Sequence, residues 1–137
     1  MLLLQVNPGW MKMESKGAAY NEVVEQFKED YFEVQAVTAP GTCVVLDISD
    51  LGLSVSGERA LALTIFGMKG CFVVRVDWRA LLSVPPPIRR LVAVHEACHL
   101  RHVVDLKSHI DLTPGRRHLL EADANRCATL YLASRTN

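Results

Sequence analysis

A chain of 137 residues, half of them apolar, can bury one core but not two comfortable ones, so a single domain spanning residues 1–137 is expected. Fifteen basic residues balance fifteen acidic ones, which excludes the charge excess of a nucleic-acid footprint or of a binder of anionic membranes; a protein or peptide partner is expected, with no direct nucleic-acid contact. No apolar run approaches the ~20 residues of a membrane span, so no membrane partner is expected either.

The first residues, Met1-Leu2-Leu3-Leu4-Gln5-Val6, are apolar but few, lack a basic lead and are interrupted by Asn7-Pro8-Gly9 before a signal-peptide core could form. Met11 and Met13 are alternative starts, and residues 1–14 are expected to be peripheral to the fold or disordered. From about Ser15 to Tyr31 the residues Ala19, Val23, Phe27 and Tyr31 recur four apart, the stripe of an amphipathic helix.

Four runs rich in β-branched residues follow: Phe32 to Val37, Thr42 to Ile48, Ala60 to Phe66 and Cys71 to Trp78. Pro40-Gly41, Gly52, Gly57 and Gly67-Met68-Lys69-Gly70 separate them, and the last two runs read as a hairpin. Pro85-Pro86-Pro87 suits the mouth of a helix running from Ile88 to about Val104. Asp111-Leu112-Thr113-Pro114-Gly115 breaks the chain, and Thr113 as N-cap with Pro114 at the first helical position starts a last helix reaching about Ser134. The order helix, sheet, helix, helix defines an α+β class. Four cysteines, Cys43, Cys71, Cys98 and Cys127, are widely spaced with no C-x-x-C pair, in a domain large enough not to need staples. They read as reduced, buried thiols, which favours the cytoplasm; two disulfides are the other arrangement the sequence allows.

The chemistry is concentrated in His95-Glu96-Ala97-Cys98-His99. On a helix, residues four apart project side by side, so His95 and His99 can grip one ion, and paired imidazoles suit zinc. Glu96 lies on the flank of the pair, where H-E-x-x-H uses it as general base toward a water whose pKa zinc lowers to about 7. Ile88, Leu91 and Val92 share the stripe of the two histidines, so the imidazoles are expected to point inward, where a metal would relieve their burial.

A site that keeps one position open needs a third protein ligand. His102 shares the helical face but would sit ~10 Å along an unbroken axis from His95, which makes it a neighbour of the site rather than a ligand. Asp105 has the spacing of some third ligands, yet His102 stands where the chain would need a glycine to turn. His109 follows the helix in an expected turn. Glu121 lies on the last helix with Asn125 four residues on and Ala128 and Leu132 continuing the stripe, while Asp123 and Arg126 point elsewhere. Leu120, Ala124, Cys127 and Tyr131 form the adjoining apolar stripe that would bury this helix beside the zinc helix.

His95-Glu96-Ala97-Cys98-His99 followed by Glu121-Ala122-Asp123-Ala124-Asn125-Arg126-Cys127-Ala128 resembles the ImmA/IrrE family of metallopeptidases, whose pattern is HExxH and then E-x-E-A-N-x-F-A. Phe72 to Asp77 and Arg89 to Val94 resemble the strand and the basic lead-in that precede the family's zinc helix, so about Gly70 to Ala133 is covered. The resemblance implies a small zincin-like α+β domain and a gluzincin-like peptidase. Its Zn2+ ligands would be His95, His99 and Glu121, its base Glu96, and Asn125 would hydrogen-bond a ligand. The substrate it implies is a protein, a transcriptional repressor or regulator. Ala97-Cys98 replaces the usual Leu-Gly, Cys127 the usual Phe, and Leu130 to Ser134 the Leu-Met-Pro that often follows.

Two other readings compete. His95-Glu96-Ala97-Cys98-His99-Leu100-Arg101-His102 is similar to the YgjP and SprT-like zinc proteins, in which a later histidine, here His109, would be the third ligand. Alternatively, the chain is a zinc-stabilised interaction module, antirepressor-like or toxin-like, without efficient turnover. His118, Tyr131, His102 and Arg101 are candidates for stabilising an oxyanion, with nothing in the sequence to choose among them.

Overall fold

The computed structural model describes residues 8–50, 53–55, 58–67, 70–102 and 113–135. The fold is mixed α+β. Helix α1 spans Pro8–Thr38. Among the described residues five strands follow, β1 Val44–Ser49, β2 Leu53–Val55, β3 Glu58–Ala60, β4 Ala62–Phe66 and β5 Phe72–Asp77. Then come α2 Trp78–Leu82, α3 Pro86–Cys98, a 3-10 turn over His99–His102, and α4 Pro114–Arg135. Of the expected peripheral segment, residues 8–14 continue α1 and residues 1–7 lie outside the described residues.

The expected strand Phe32 to Val37 is corrected: it is the last turns of α1. Local β preference loses to burial there, because Tyr31 and Val34 carry the buried stripe of Val23 and Phe27 onward at helical spacing. Trp78 likewise leaves the strand it was expected to close. Asp77 accepts a hydrogen bond from the Ala80 amide at 3.1 Å and caps α2 immediately after β5.

The hairpin is present. β4 pairs antiparallel with β5, Ala62 opposite Val76 and Phe66 opposite Phe72. Gly67 closes the turn with its amide 2.7 Å from the Cys71 carbonyl, and a Cβ at Gly67 would lie 2.8 Å from that same oxygen. Gly70 takes φ +81, which a side chain would resist. β1 lies parallel to β5 on its other side, giving the order β1-β5-β4, while β2 and β3 form a separate two-stranded pair.

Central strand β5 shows why one face is the core. Phe72, Val74 and Val76 are buried, whereas Arg75 points out and pairs with Asp47 at 3.5 Å. Onto the buried face pack Val23, Phe27, Tyr31 and Val34 of α1, Trp78 and Leu81 of α2, Ala93, Val94, Ala97 and Cys98 of α3, and Ala124 and Ala128 of α4. Arg89 ties α2 to α3 by donating to the carbonyls of Leu81 at 2.9 Å and Leu82 at 3.3 Å at the C-terminal end of α2. At its far end α4 is tied to α1, since Tyr131 donates to Glu33 at 3.1 Å and Arg135 pairs with the same carboxylate.

The cysteines are not free thiols. Cys43 is bonded to Cys71, with Cα atoms 4.7 Å apart, and Cys98 to Cys127, with Cα atoms 6.1 Å apart. This overturns the expectation of four reduced thiols on which the cytoplasmic placement rested. The reason is register: Cys43 and Cys71 stand directly before the paired starts of β1 and β5, and Cys98 and Cys127 face each other across α3 and α4. Among the described residues no helix is long and apolar enough to cross a membrane.

Alkylation in denaturant is expected to label no cysteine until a reductant is added, because none is free. The bridges span 28 and 29 residues, so removing either is expected to destabilise by about 2–4 kcal/mol, read as a drop in the denaturant midpoint. Labelling of all four cysteines without reduction would contradict the pairing.

Candidate metal centre

Helix α3 places its core stripe one position away from the one the sequence suggested. Ala93, Val94, Ala97 and Cys98 are buried, while Ile88 is exposed. His99 is buried, as the sequence suggested, and His95 is partly buried, both on the side of α3 where α4 packs.

There the donor atoms converge. His95 Nε2 and His99 Nε2 are 3.1 Å apart. Glu121 of α4 brings Oε2 to 2.8 Å from the first and Oε1 to 3.1 Å from the second. Three ligands of a tetrahedral ion at bonds of 2.0–2.1 Å would lie about 3.3 Å from one another, so two imidazole nitrogens and a carboxylate at these separations could hold a metal ion. Glu121 is half exposed, which leaves the cluster accessible from its solvent side.

Asn125, one turn beyond Glu121, sets its Oδ1 2.7 Å from His95 Nδ1. A ligand histidine is held in this way, its second nitrogen donating to a fixed acceptor. Ala124 and Ala128 have no exposed surface, and their short side chains let α4 come close enough for both contacts. Thr113 caps α4 by accepting from the Arg116 amide at 3.2 Å, which sets where the helix begins.

Glu96 is buried beside the pair, and its donor atom lies within 4.8 Å of those of His95 and His99. Its Oε2 accepts from Thr64 Oγ1 of β4 at 2.8 Å. Burial raises the Glu96 carboxyl above its ordinary range, opposed by the His99 and His95 charges and by the Thr64 hydrogen bond. Hydrogen bonds from His95 and then His99 hold Glu121 far below the usual carboxylate range. Burial by itself would lower His95, but its hydrogen bond to Glu121 and the charges of Glu96 and Glu121 carry it above the ordinary imidazole value.

Two participants, Thr64 and Asp123, escaped the sequence, whereas His102 stands beside the site as expected. Thr64 is the one polar residue in the strand run Ala62-Leu63-Thr64-Ile65-Phe66, and that break in the pattern was the available signal. Asp123, expected to point elsewhere, sets Oδ2 2.6 Å from His102 Nε2, and Arg101 flanks it at 3.7 Å. His102 Nδ1 in turn is 3.2 Å from His99 Nδ1. The turn of the chain explains it: α3 ends at Cys98 and tightens into a 3-10 turn, in which residues three apart eclipse, so His102 falls over His99. His109 and Asp105 lie outside the described residues.

No family model, no curated protein and no solved structure matches the chain.

Glu121→Ala is expected to weaken zinc binding at least ~10-fold with little change in the metal-free fold, and Asn125→Ala to weaken it by about 10-fold. His109→Ala should leave it unchanged; the reverse ranking in a chelator competition would move the third ligand to His109. The metal-free protein has a pH profile with a definite sign. Glu121 and Asp123 are lowered, so their contribution is lost as pH falls from the ordinary carboxylate range. His95 and Glu96 are raised, so theirs is lost as pH rises through their folded values. Chelated protein should therefore be most stable in mildly acidic solution, whereas metal affinity should strengthen with rising pH because the imidazoles must be deprotonated. A melting series with and without chelator checks both trends.

Proposed function

We propose that the protein is a zinc-dependent peptidase of ImmA/IrrE type, hydrolysing a peptide bond in a protein substrate. The observation that carries this reading is the placement of Glu121 against both His95 Nε2 and His99 Nε2, at 2.8 and 3.1 Å, with the buried Glu96 carboxylate beside them. His95, His99 and Glu121 would hold the ion. When bound, zinc supplies Lewis-acid polarisation of the scissile carbonyl and acidifies water. Glu96 takes the proton of the attacking water and hands it to the leaving amine. The raised proton affinity of Glu96 suits that double use, since a carboxylate in the ordinary range would be a weak proton donor to the amine at neutral pH.

Thr64 aims the base by donating to one Glu96 oxygen, which leaves the other for the substrate side. Among the oxyanion candidates, His102 and Arg101 are occupied with Asp123, and Tyr131 donates to Glu33. His118 is exposed on α4, one turn before Glu121.

The resemblance points to a transcriptional repressor or regulator as substrate, which would place the work in the cytoplasm. The two bridges favour an oxidising environment instead. Incubating the bridged and the reduced protein with candidate regulators, and with a denatured-protein mixture, separates these by mass spectrometry of new termini. Binding without any new fragment would favour the interaction module.

Glu96→Gln is expected to retain one zinc per chain while peptidase activity falls by at least ~100-fold, because glutamine keeps the shape but cannot accept the proton. Cleavage at the unaltered rate would remove Glu96 as the base.

A further inference from the structure

His102 is a buried imidazole held between two polar groups, His99 Nδ1 at 3.2 Å and Asp123 Oδ2 at 2.6 Å. A neutral imidazole has one N–H and one lone pair, and an ionised carboxylate only accepts. The order of protons along this row follows. Asp123 must receive the Nε2–H of His102, which leaves His102 Nδ1 as a lone pair. The hydrogen between the two rings then belongs to His99 Nδ1. In the metal-loaded state, where the Nε2 proton that His99 gives to Glu121 in the metal-free protein is displaced, this order leaves His99 Nε2 with its lone pair directed at the region shared with His95 Nε2 and Glu121 Oε1, each 3.1 Å away.

We propose that His102 and Asp123 are positioning residues that hold His99 in its Nδ1–H tautomer and make Nε2 the atom offered to the metal. This rests on the metal-site reading above. The two ligand histidines are thus oriented by different means. Asn125 presents a neutral amide oxygen to His95 at 2.7 Å, whereas His99 receives the charge of Asp123 relayed through a second ring. The relay makes His99 the more electron-rich of the two ligands, since a carboxylate behind a ligand histidine raises its basicity. It also gives the 3-10 turn a purpose, because residues three apart eclipse there, which lays His102 against His99. α4 consequently supplies a ligand and both orienting groups from positions two apart, Glu121, Asp123 and Asn125.

The test compares zinc affinity, by competition with a chromophoric chelator, in the unaltered protein and in His102→Leu, His102→Gln and Asp123→Asn. Leucine fills the buried volume without an acceptor, so affinity is expected to fall by about 10–100-fold. Glutamine, which keeps an acceptor oxygen for His99 Nδ1–H, should restore most of it, and Asp123→Asn should fall between. Long-range 1H–15N correlation on the zinc-loaded protein reads the tautomers directly: His102 Nδ1 unprotonated and Nε2 protonated, and His99 Nδ1 protonated. That spectrum also decides the matter if the leucine variant fails to fold. A protonated His102 Nδ1, or a folded leucine variant that binds zinc as tightly as the unaltered protein, would overturn the relay and leave the metal site standing. Failure of the unaltered protein to bind zinc would overturn both.

Discussion

Ala124 and Ala128 have no exposed surface, and since nothing larger than a methyl group separates the α4 backbone from the core there, the helix lies near enough to α3 for its polar side chains to reach two histidines. The site depends on that approach. A bulkier residue at either position would push α4 outward and draw Glu121, Asp123 and Asn125 away together, because all three ride on the same two turns. The Cys98–Cys127 bridge fastens the same two helices, and the Tyr131 and Arg135 contacts to Glu33 fasten the outer end of α4 to α1. The core holds α3 from the other side, through Ala93, Val94 and Ala97 against β5 and α1. The geometry of the cluster is thus set by packing that needs no metal.

What could be read from the chain beforehand was whatever has a helical period. His95 with His99, Glu121 with Asn125, and the Thr113-Pro114 start of α4 are local patterns, and the structure puts each pair side by side. Features decided by distant parts of the chain were not legible. Phe32 to Val37 carries the local preference of a strand and is helical because the stripe through Tyr31 and Val34 is needed in the core. The pairing of the cysteines depends on strand register and helix facing, neither of which is written near any cysteine. Asp123 was set aside because it lies off the Glu121–Asn125 stripe; the tightening after Cys98 lays His102 over His99 and within reach of Asp123.

The proposed chemistry divides labour by burial. Glu96 is removed from solvent, which raises the affinity of its carboxyl for a proton even though the hydrogen bond from Thr64 works the other way. Glu121 is half exposed and holds its negative charge against two imidazoles, conditions that lower it. Two carboxylates within one cluster are thereby driven apart, one toward handling protons and the other toward permanent ionisation. Such separation is the physical requirement for a base and a ligand to coexist at short range, whatever backbone they act on.

The bridge and the donor cluster also close overlapping loops. Cys98 and Cys127 are 29 residues apart in the chain, and His99 and Glu121 lie just inside them. A segment already closed by one link has little freedom left to lose when closed by the other. Any ion gripped by His99 and Glu121 is therefore gripped more firmly in the oxidised chain, and thermodynamic reciprocity requires that the ion make the bridge harder to reduce by the same factor. With an ion in the proposed site, metal content and thiol redox state would be a single coupled equilibrium, so a change in either one in the surroundings would be felt by the other without any further contact between them.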